Sequence, residues 1–309
     1  MNLSIIIVNY KTPDLLNACI ESIKRTLSND LNYEIIIVDN FSNDNSEKKI
    51  KSKFEDIIWI QKNENDGFGR ANNIGIQKAI GKYILLLNSD IVVAENTILE
   101  CLKKIEKDKN IGVLGCKLLN DDGSNQKSIY HYAADYLDVL NSNLIFDYFI
   151  KIKSKKIKAL MGSFLLIPQH VLQNVGLFDP DFFMYCEELE LCNRILKKGY
   201  KIKYIDTVFA YHKHGASSTD ENWVIKQKYL SNALLVYKLR GLFGYFLYHF
   251  LFVFNSISNF FAMWFLDKKF RKDFWNSEKC FYSNFFYYFV IPFKYSRHIG
   301  DGKRILRRN

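Results

Sequence analysis

The chain has 309 residues, of which 48% are hydrophobic, and its formal net charge is +10. This length and apolar content allow one α/β domain with a sizeable core and a smaller appended region. The six cysteines lack both the paired spacing of a metal site and the density of a disulfide scaffold, so we expect reduced thiols in the cytoplasm. A strand-like run begins at Leu3 without a cleavable leader before it, so no secretion is expected.

Apolar, β-branched runs alternate with amphipathic stretches through the first part of the chain. The runs, predicted to be strands, are residues 3–8, 34–38, 57–60, 83–87 and 111–116. The stretches between them, predicted to be helices, are residues 14–26, 46–54, 70–80 and 96–107. Continuous hydrophobic strands separated by helices predict an α/β fold with a mostly parallel sheet that helices cover on both faces.

Polar residues follow each of the first four predicted strands. In chain order they include Asn9 and Tyr10, then Asp39, then Asn65 and Gly67, and finally Asn88, Ser89 and Asp90. Ligands of such sheets bind at the carboxyl ends of the strands, so we expect these residues to line one cleft. Gly67 lies in a strand-to-helix loop, where backbone N–H groups can hold phosphate.

Asp90 follows a strand and has Asn88 two residues earlier, on the same face. Because a bound diphosphate can supply most ligands of Mg²⁺, one or two protein oxygens here suffice for a metal site. A turn or helix cap is the alternative interpretation, since Asn, Ser and Asp favour both. Asp39 is likewise either a nucleoside ligand or a turn residue.

Residues 118–157 lose the strand and helix pattern and become polar and lysine-rich, which we interpret as an acceptor-side insertion. Beyond them a helix is predicted from near Pro168 and another over residues 187–198. Strands are predicted over residues 201–205 and 208–212, and a helix from residue 221 to about residue 240.

Two pairs of residues in this later part could carry chemistry. Glu187 and Glu188 point about 100° apart on a helix, so they cannot perform the same task. Either one serves as a base in a cleft, or both are first-turn charges that favour the helix dipole. His212 and His214 share a face of a strand, where either could complete a metal site or make structural hydrogen bonds.

The positive charge is concentrated at the end of the chain. Residues 266–309 contain eleven Lys or Arg and four acidic residues, whereas residues 241–265 contain no Asp, Glu, Lys or Arg and eleven aromatic residues. That uncharged neighbour favours an anionic membrane surface over nucleic acid. Because polar residues interrupt its middle, we expect an interfacial helix, or a shallow hairpin with residues 281–293, rather than a single span. An aromatic core packed on the domain is the alternative.

Five ordered motifs resemble those of family 2 glycosyltransferases, most of all bacterial rhamnosyltransferase-like members. They are SIIIVNY at residues 4–10, EIIIVDN at 34–40, NDGFGRANN at 65–73, LLLNSD at 85–90, and the segment 178–194. The resemblance implies a GT-A fold, a nucleotide-diphosphate sugar donor, Mg²⁺ or Mn²⁺, and inversion at the anomeric carbon by direct displacement.

The resemblance also implies roles for individual residues. Asp39 is expected to contact the nucleoside, Asp90 and His212 to hold the metal, and Glu188 to act as the general base, with Glu187 on the acceptor side. The other expected donor-binding residues are Asn9, Tyr10, Asn65, Gly67, Asn72, Asn88 and Ser89. Two positions depart from the family pattern. Asn88 replaces an aspartate and removes one charge from the metal site, and Glu188 replaces an aspartate and extends the base by one methylene.

The sequence therefore predicts a catalytic domain over residues 1–220 and a helical, membrane-associating region over residues 221–309. The predicted activity is metal-dependent transfer of a sugar from dTDP-rhamnose or a UDP-hexose to a saccharide acceptor. We expect a lipid-linked acceptor at the cytoplasmic face of the bacterial inner membrane, in surface polysaccharide synthesis.

Two other classes of protein would differ from this one at specific residues. A non-catalytic polysaccharide-binding or scaffolding protein that kept the fold should show damage at Asp90 or Glu188, and both acids are present. A sugar-phosphate or nucleotidyl transferase should carry a Gly-rich basic phosphate loop near its N-terminus, which residues 9–13 do not form.

Overall fold

The computed structural model describes residues 2–27, 31–131, 156–213 and 221–262, together with residue 275. The chain divides into two compact units. The first comprises Met1–Tyr130, Ile157–Asp179 and Glu187–Thr219. The second comprises His131–Lys156, Pro180–Cys186 and Asp220–Asn309.

The first unit alternates strands and helices. Its strands are β1 (Leu3–Asn9), β2 (Tyr33–Asp39), β3 (Ile58–Gln61), β4 (Tyr83–Asn88), β5 (Ile91–Val93), β6 (Ile111–Leu119), β7 (Asn125–Gln126), β8 (Ile129–Tyr130), β9 (Ala159–Leu160), β10 (Phe164–Pro168) and β11 (Lys201–His212). Its helices are α1 (Pro13–Thr26), α2 (Ser46–Lys51), α3 (Phe68–Lys78), α4 (Thr97–Lys107), α5 (Gln169–Val175) and α6 (Glu187–Lys197).

Most of these strands form one sheet in the order β3-β2-β1-β4-β10-β6-β11-β5, with β7 paired to β6. Strands β1 to β4 are parallel to one another, and β6 is parallel to β11. Strand β10 runs antiparallel between β4 and β6. Strands β8 and β9 form a separate small sheet. The prediction of a mostly parallel α/β sheet is confirmed.

The apolar runs become strands because both of their faces are buried, as is usual for parallel sheets. Ile5 and Ile7 of β1 face one side and join the core with α1 and α4 residues such as Ile20 and Ile98. The alternate residue Ile6 faces the other side, against α3. A Cβ on Gly75 of α3 would lie 2.4 Å from Cγ2 of Ile6, so only glycine allows this close approach.

Two local features differ from the predicted elements. The separate strands predicted at residues 201–205 and 208–212 form the single strand β11. Its pairing with β6 shifts between Ile205 and Phe209, so a bulge explains why the sequence pattern breaks there. The region predicted to lack pattern begins with the β6–β7 hairpin, and residues 132–155 of it lie outside the described residues.

The second unit contains the helix α7 (Glu221–Ala262). The helix breaks at Gly241, whose φ is 68° and ψ is −172°, values that favour glycine. Before the break, α7 packs on the loop Pro180–Cys186: Ser231 Oγ donates to the Met184 carbonyl at 2.6 Å, and Lys238 pairs with Asp181 at 2.6 Å. The predicted hairpin partner at residues 281–293 lies outside the described residues, as does most of the basic tail.

The half of α7 after Gly241 distributes its residues unusually. Its aromatic and aliphatic side chains include a row between 39% and 82% exposed: Leu242, Phe243, Phe250, Phe254, Ile257, Phe260 and Phe261. In contrast, Asn255, Ser256 and Asn259 are buried. Within the described residues, the segment Trp223–Phe261 is long and apolar enough to cross a membrane by length and composition. The buried core helix of a soluble protein can meet the same two criteria.

Candidate active site

The carboxyl ends of β3, β2, β1 and β4 lie side by side, as predicted for residues of one cleft. The register of the sheet places Asn9 opposite Asp39, and Asp39 opposite Gln61. It also places Asn88 at the end of β4, opposite Val8. Parallel pairing alone produces this alignment, because all four strands end at the same edge.

Asp39 is buried and its carboxylate accepts four hydrogen bonds. Oδ1 accepts from Asn9 Nδ2 at 2.7 Å and Ser42 Oγ at 2.6 Å, and Oδ2 accepts from Ser42 N at 2.9 Å and Gln61 Nε2 at 2.7 Å. A carboxylate offers about four acceptor positions. A nucleoside that bonds to Asp39 must therefore replace one of these donors, and Gln61 is the exposed one.

A hydrogen-bonded chain continues from Asp39 toward β4. Thr12 Oγ1 donates to Asn9 Oδ1 at 3.1 Å, so its own oxygen accepts from Ser89 Oγ at 2.8 Å. The structure thus links three predicted donor-site residues, Asn9, Asp39 and Ser89. The sequence prediction missed Thr12, Ser42 and Gln61, because only the strand order shows that they are neighbours.

The loop before α3 is organised by its own side chains. Asn65 Oδ1 accepts from Asn40 Nδ2 at 2.8 Å and from Gly67 N at 2.9 Å. Gly67 precedes α3 with a φ of 77°, so a glycine is needed there. Asn72 Nδ2 donates to the Phe68 carbonyl at 3.0 Å, while its Oδ1 is buried and accepts no hydrogen bond in the described part of the chain. The predicted roles of Asn65, Gly67 and Asn72 in donor binding remain predictions.

Tyr10 stands at the other predicted donor position, after β1. Its side chain is half-buried, and the ammonium group of Lys11 lies 5.3 Å from its ring centroid. Lys11 itself has a φ of 58°, which turns the chain sharply between β1 and α1. The aromatic ring thus stands at the edge where the strands end.

Asn88, Asp90 and His212 converge on one point. Nε2 of His212 lies 3.3 Å from Oδ1 of Asp90 and 3.4 Å from Nδ2 of Asn88. The convergence follows from the antiparallel pairing of β5 with β11, which places His212 opposite Ile91. The predicted partner His214 lies outside the described residues.

These three residues fit a divalent cation that a diphosphate also coordinates. Oδ1 of Asn88 and Oδ1 of Asp90 are buried and accept no hydrogen bond from the described residues. Carboxylate and amide oxygens, with an imidazole, are suitable ligands for Mg²⁺ or Mn²⁺. Within the described ranges, no group of three or more His, Cys, Asp or Glu is arranged to hold a metal ion.

Glu188 is buried near the start of α6. Desolvation raises the pKa of its carboxyl to about 7, against the weaker opposing effects of a backbone hydrogen bond and Lys127. Gly162 borders it: a Cβ built there would lie 3.6 Å from Glu188 Cβ and 3.7 Å from the ring of Phe68. A carboxyl group with a pKa near neutrality has the property that a general base needs.

Glu187 is also buried and faces a different neighbour. A Cβ built on Gly69 would lie 3.7 Å from Cβ of Glu187, so Glu187 lies beside α3. The two glutamates therefore occupy different surroundings, as their spacing predicted. Further along α6, Glu190 pairs with Arg194 at 2.7 Å, and Arg194 also donates to the Leu177 carbonyl, so this pair ties α6 to the loop after α5.

Comparison with known proteins gives the family. Residues 4–176 match the model described as Glycosyl transferase family 2. The chain is 28% identical to Rhamnosyltransferase WbbL of Escherichia coli K12 in an alignment 226 positions long that covers 67% of this chain and 82% of WbbL. This confirms the similarity to bacterial rhamnosyltransferases that the motifs predict.

Solved structures show the same fold. Mannosyltransferase PcManGT from Pyrobaculum calidifontis, in complex with GDP-Man and Mn²⁺, has a TM-score of 0.59 at 13% identity over 92% of this chain and 74% of its own. S. aureus TarS 1–349 in complex with UDP has a TM-score of 0.53 at 17% identity over 77% of this chain and 66% of its own. These matches confirm the predicted GT-A fold.

The fold is that of the GT-A glycosyltransferases. Since the family model covers more than half of its length, the chain belongs to glycosyl transferase family 2.

Proposed function

We propose that this glycosyltransferase transfers a sugar from a nucleotide-diphosphate sugar to a saccharide acceptor. The reaction would depend on a divalent metal and would invert the configuration at the anomeric carbon. The observation that carries the proposal is the convergence of Asn88, Asp90 and His212 at the end of β4. Asn88 and Asp90 each present a buried oxygen that accepts no hydrogen bond from the described residues, and His212 meets them from a separate strand, an arrangement that a structural turn would not need.

The donor is proposed to lie along the ends of β1 to β4. Asp39 would bind the nucleoside after exchange of Gln61, and Asn9, Tyr10 and Ser89 would line the path toward the diphosphate. Asn65, Gly67 and Asn72 would support the donor from the loop before α3, whose backbone amides begin a helix. The hydrogen-bonded chain through Thr12 supports this layout because it fixes the strand ends relative to one another.

Asp90 and His212, with Asn88, are the residues proposed to hold Mg²⁺ or Mn²⁺. A bound cation of this kind neutralises the charge that develops on a departing diphosphate. The amide of Asn88 carries no charge, so Asp90 is the one residue of the three that contributes a carboxylate.

Glu188 is proposed as the general base. Its pKa near 7 means that the carboxylate is substantially populated at neutral pH and still basic enough to accept a proton from an acceptor hydroxyl. Direct displacement by that hydroxyl forms the new glycosidic bond while the bond to the diphosphate breaks, so no covalent intermediate is needed. Glu187 would contact the acceptor side.

We further propose residues 1–220 as the catalytic domain and residues 221–309 as a membrane-associating region. The row of exposed aromatic side chains on α7, opposite to buried asparagines, supports a lipid contact. With the basic residues that follow, it fits an anionic membrane surface. A lipid-linked saccharide at the cytoplasmic face of the bacterial inner membrane would be the acceptor, in surface polysaccharide synthesis.

For the donor we propose dTDP-rhamnose or a UDP-hexose. The similarity to Rhamnosyltransferase WbbL supports the first and the UDP complex of TarS the second. Calorimetric titration of the full chain with both classes of donor, with Mn²⁺, with Mg²⁺ and with EDTA, tests the proposal. We expect one of the donors to bind tightly, and to do so when Mn²⁺ or Mg²⁺ is present but not in EDTA. If no nucleotide sugar binds, the proposed function is contradicted.

A further inference from the structure

We infer that Gln126 is a positioning residue that fixes the proton of His212 on Nδ1 and so leaves the lone pair of Nε2 aimed at Asp90 and Asn88. This inference rests on the proposed metal-dependent function. It concerns a residue in the short strand β7, outside all of the motifs that identify the family.

The contact between the two side chains is short. Gln126 Oε1 lies 2.6 Å from Nδ1 of His212. An amide oxygen only accepts, so Nδ1 must carry the hydrogen if Oε1, rather than Nε2, faces the ring. The identity of that atom therefore decides the tautomer.

A directional hydrogen-bond network identifies it. Asp122 Oδ1 accepts from the Ser124 hydroxyl at 2.6 Å, so the oxygen of Ser124 accepts from Asn120 Nδ2 at 2.8 Å. Asn120 Oδ1 then accepts from Gln126 Nε2 at 2.9 Å. The same Nε2 lies 3.3 Å from the backbone carbonyl of His212, which can only accept.

Each step follows from the one before, because an ionised carboxylate is acceptor-only. Hydrogen bonds from Ser124 lower the pKa of the Asp122 carboxyl, which keeps it in that form. The acceptor role of Asp122 therefore fixes which group donates in each hydrogen bond of the network, through Ser124 and Asn120 to Gln126. As a result, Oε1 of Gln126 faces the imidazole ring of His212.

The consequence lies at the other nitrogen. In the tautomer with hydrogen on Nδ1, Nε2 is an acceptor and faces Oδ1 of Asp90, another acceptor, at 3.3 Å. The Asn88 amide nitrogen, 3.4 Å away, can donate to Nε2, whereas a bound cation would accept the lone pairs of both Nε2 and Oδ1. Partners on the outer nitrogen of a metal-binding histidine orient the ring and fix its tautomer, and their loss typically weakens metal binding by about 10- to 100-fold.

Three forms of the full chain test the inference. They are the unmodified chain, Gln126→Leu, which removes the oxygen that accepts the hydrogen bond from Nδ1, and Gln126→Glu, which keeps an oxygen at that place. Mn²⁺ binding in the presence of UDP is measured by electron paramagnetic resonance of free Mn²⁺. We expect about 10- to 100-fold weaker binding for Gln126→Leu and near-normal binding for Gln126→Glu. Gln126→Met, whose side chain is about as long as that of glutamine but has no amide oxygen, replaces Gln126→Leu if the leucine variant does not fold.

A second measurement needs no metal. Long-range ¹H–¹⁵N correlation spectra of histidine-labelled protein report the tautomer of His212, whose signal is assigned by its loss in His212→Asn. Hydrogen on Nδ1 is expected in the unmodified chain and a mixture in Gln126→Leu. Unchanged Mn²⁺ affinity with an unchanged tautomer in Gln126→Leu would overturn the inference. Absence of Mn²⁺ binding by the unmodified chain would instead overturn the proposed metal site, and with it this role of Gln126.

Discussion

In this structure Nε2 of His212, at the end of β11, lies 3.3 Å from Oδ1 of Asp90, in the turn between β4 and β5. The two residues meet because β5 begins immediately after Asp90 and pairs with the last residues of β11. A three-residue strand thus holds the two proposed metal ligands together. The geometry depends on backbone pairing, so it should survive replacement of either side chain.

Replacement of Asp90 by alanine is therefore expected to leave a folded protein with impaired catalysis. Because metal stabilisation of a leaving group is worth several kcal/mol, we expect kcat/KM to fall by about a hundredfold or more. Donor turnover is measured across a range of Mn²⁺ concentrations, with circular dichroism to verify folding. Asp206→Ala, which removes an exposed carboxylate of β11, is the control. Full metal-dependent turnover by Asp90→Ala would remove Asp90 from this role.

Glu188→Gln is expected to lower kcat by about a hundredfold or more while donor binding persists, since the amide cannot accept the proton. The unmodified enzyme should gain kcat/KM as the pH rises from 6 to 8, because ionisation of a group with a pKa of about 7 activates the base. This rise should disappear in the variant. Glu187→Gln, which alters the neighbouring acid on the acceptor side, is the comparison, and loss of activity there with normal activity in Glu188→Gln would reassign the base.

The same carboxyl group affects stability. Its pKa is about 7 in the folded protein and 4.5 ordinarily. Below pH 4.5 the carboxyl group is protonated in both the folded and the unfolded chain, so it does not lower the stability. Between pH 4.5 and 7 the unfolded chain ionises first, and the free energy of unfolding falls as the pH rises. Glu188→Gln should then raise the free energy of unfolding by up to about 3 kcal/mol at pH 8 and by little at pH 4.5. Urea denaturation at both pH values measures this. An equal effect at the two pH values would contradict the raised pKa.

Gln61 offers a reporter of nucleotide binding. Its Oε1 accepts from Trp59 Nε1 at 3.2 Å while its Nε2 donates to Asp39. If a nucleoside replaces Gln61 at Asp39, the surroundings of the Trp59 indole must change, so UDP or dTDP should shift its fluorescence. Trp59→Phe should abolish the shift but leave nucleotide affinity unchanged. A shift that persists in Trp59→Phe would show that another tryptophan reports binding.

The sequence predicted the parts of the fold that depend on local pattern. Continuous apolar runs located the parallel strands, and residues directly after them were correctly placed at one edge of the sheet. The roles of Gln61 and Gln126 could not be predicted, because each depends on which strand lies beside its own. Gln126 is in a two-residue strand without an apolar pattern, and only its pairing with β6 brings it to His212.

The row of exposed aromatic residues on α7 predicts membrane binding that depends on particular side chains. Phe243 and Phe250 are 82% and 68% exposed, so their replacement by serine should leave folding intact. Each buried phenylalanine contributes roughly 1.5–3 kcal/mol, so the double variant should bind vesicles containing phosphatidylglycerol at least tenfold more weakly. Cosedimentation of the full chain measures this, and high salt should partly release the unmodified protein because the basic tail also attracts it to the anionic lipid.

The matched control replaces Ile58 and Ile80, two exposed apolar residues of the first unit, and should bind normally. Equal binding by both double variants, or no binding by the unmodified chain at low salt, would indicate that this face of α7 is not a lipid contact and that the acceptor need not be lipid-linked.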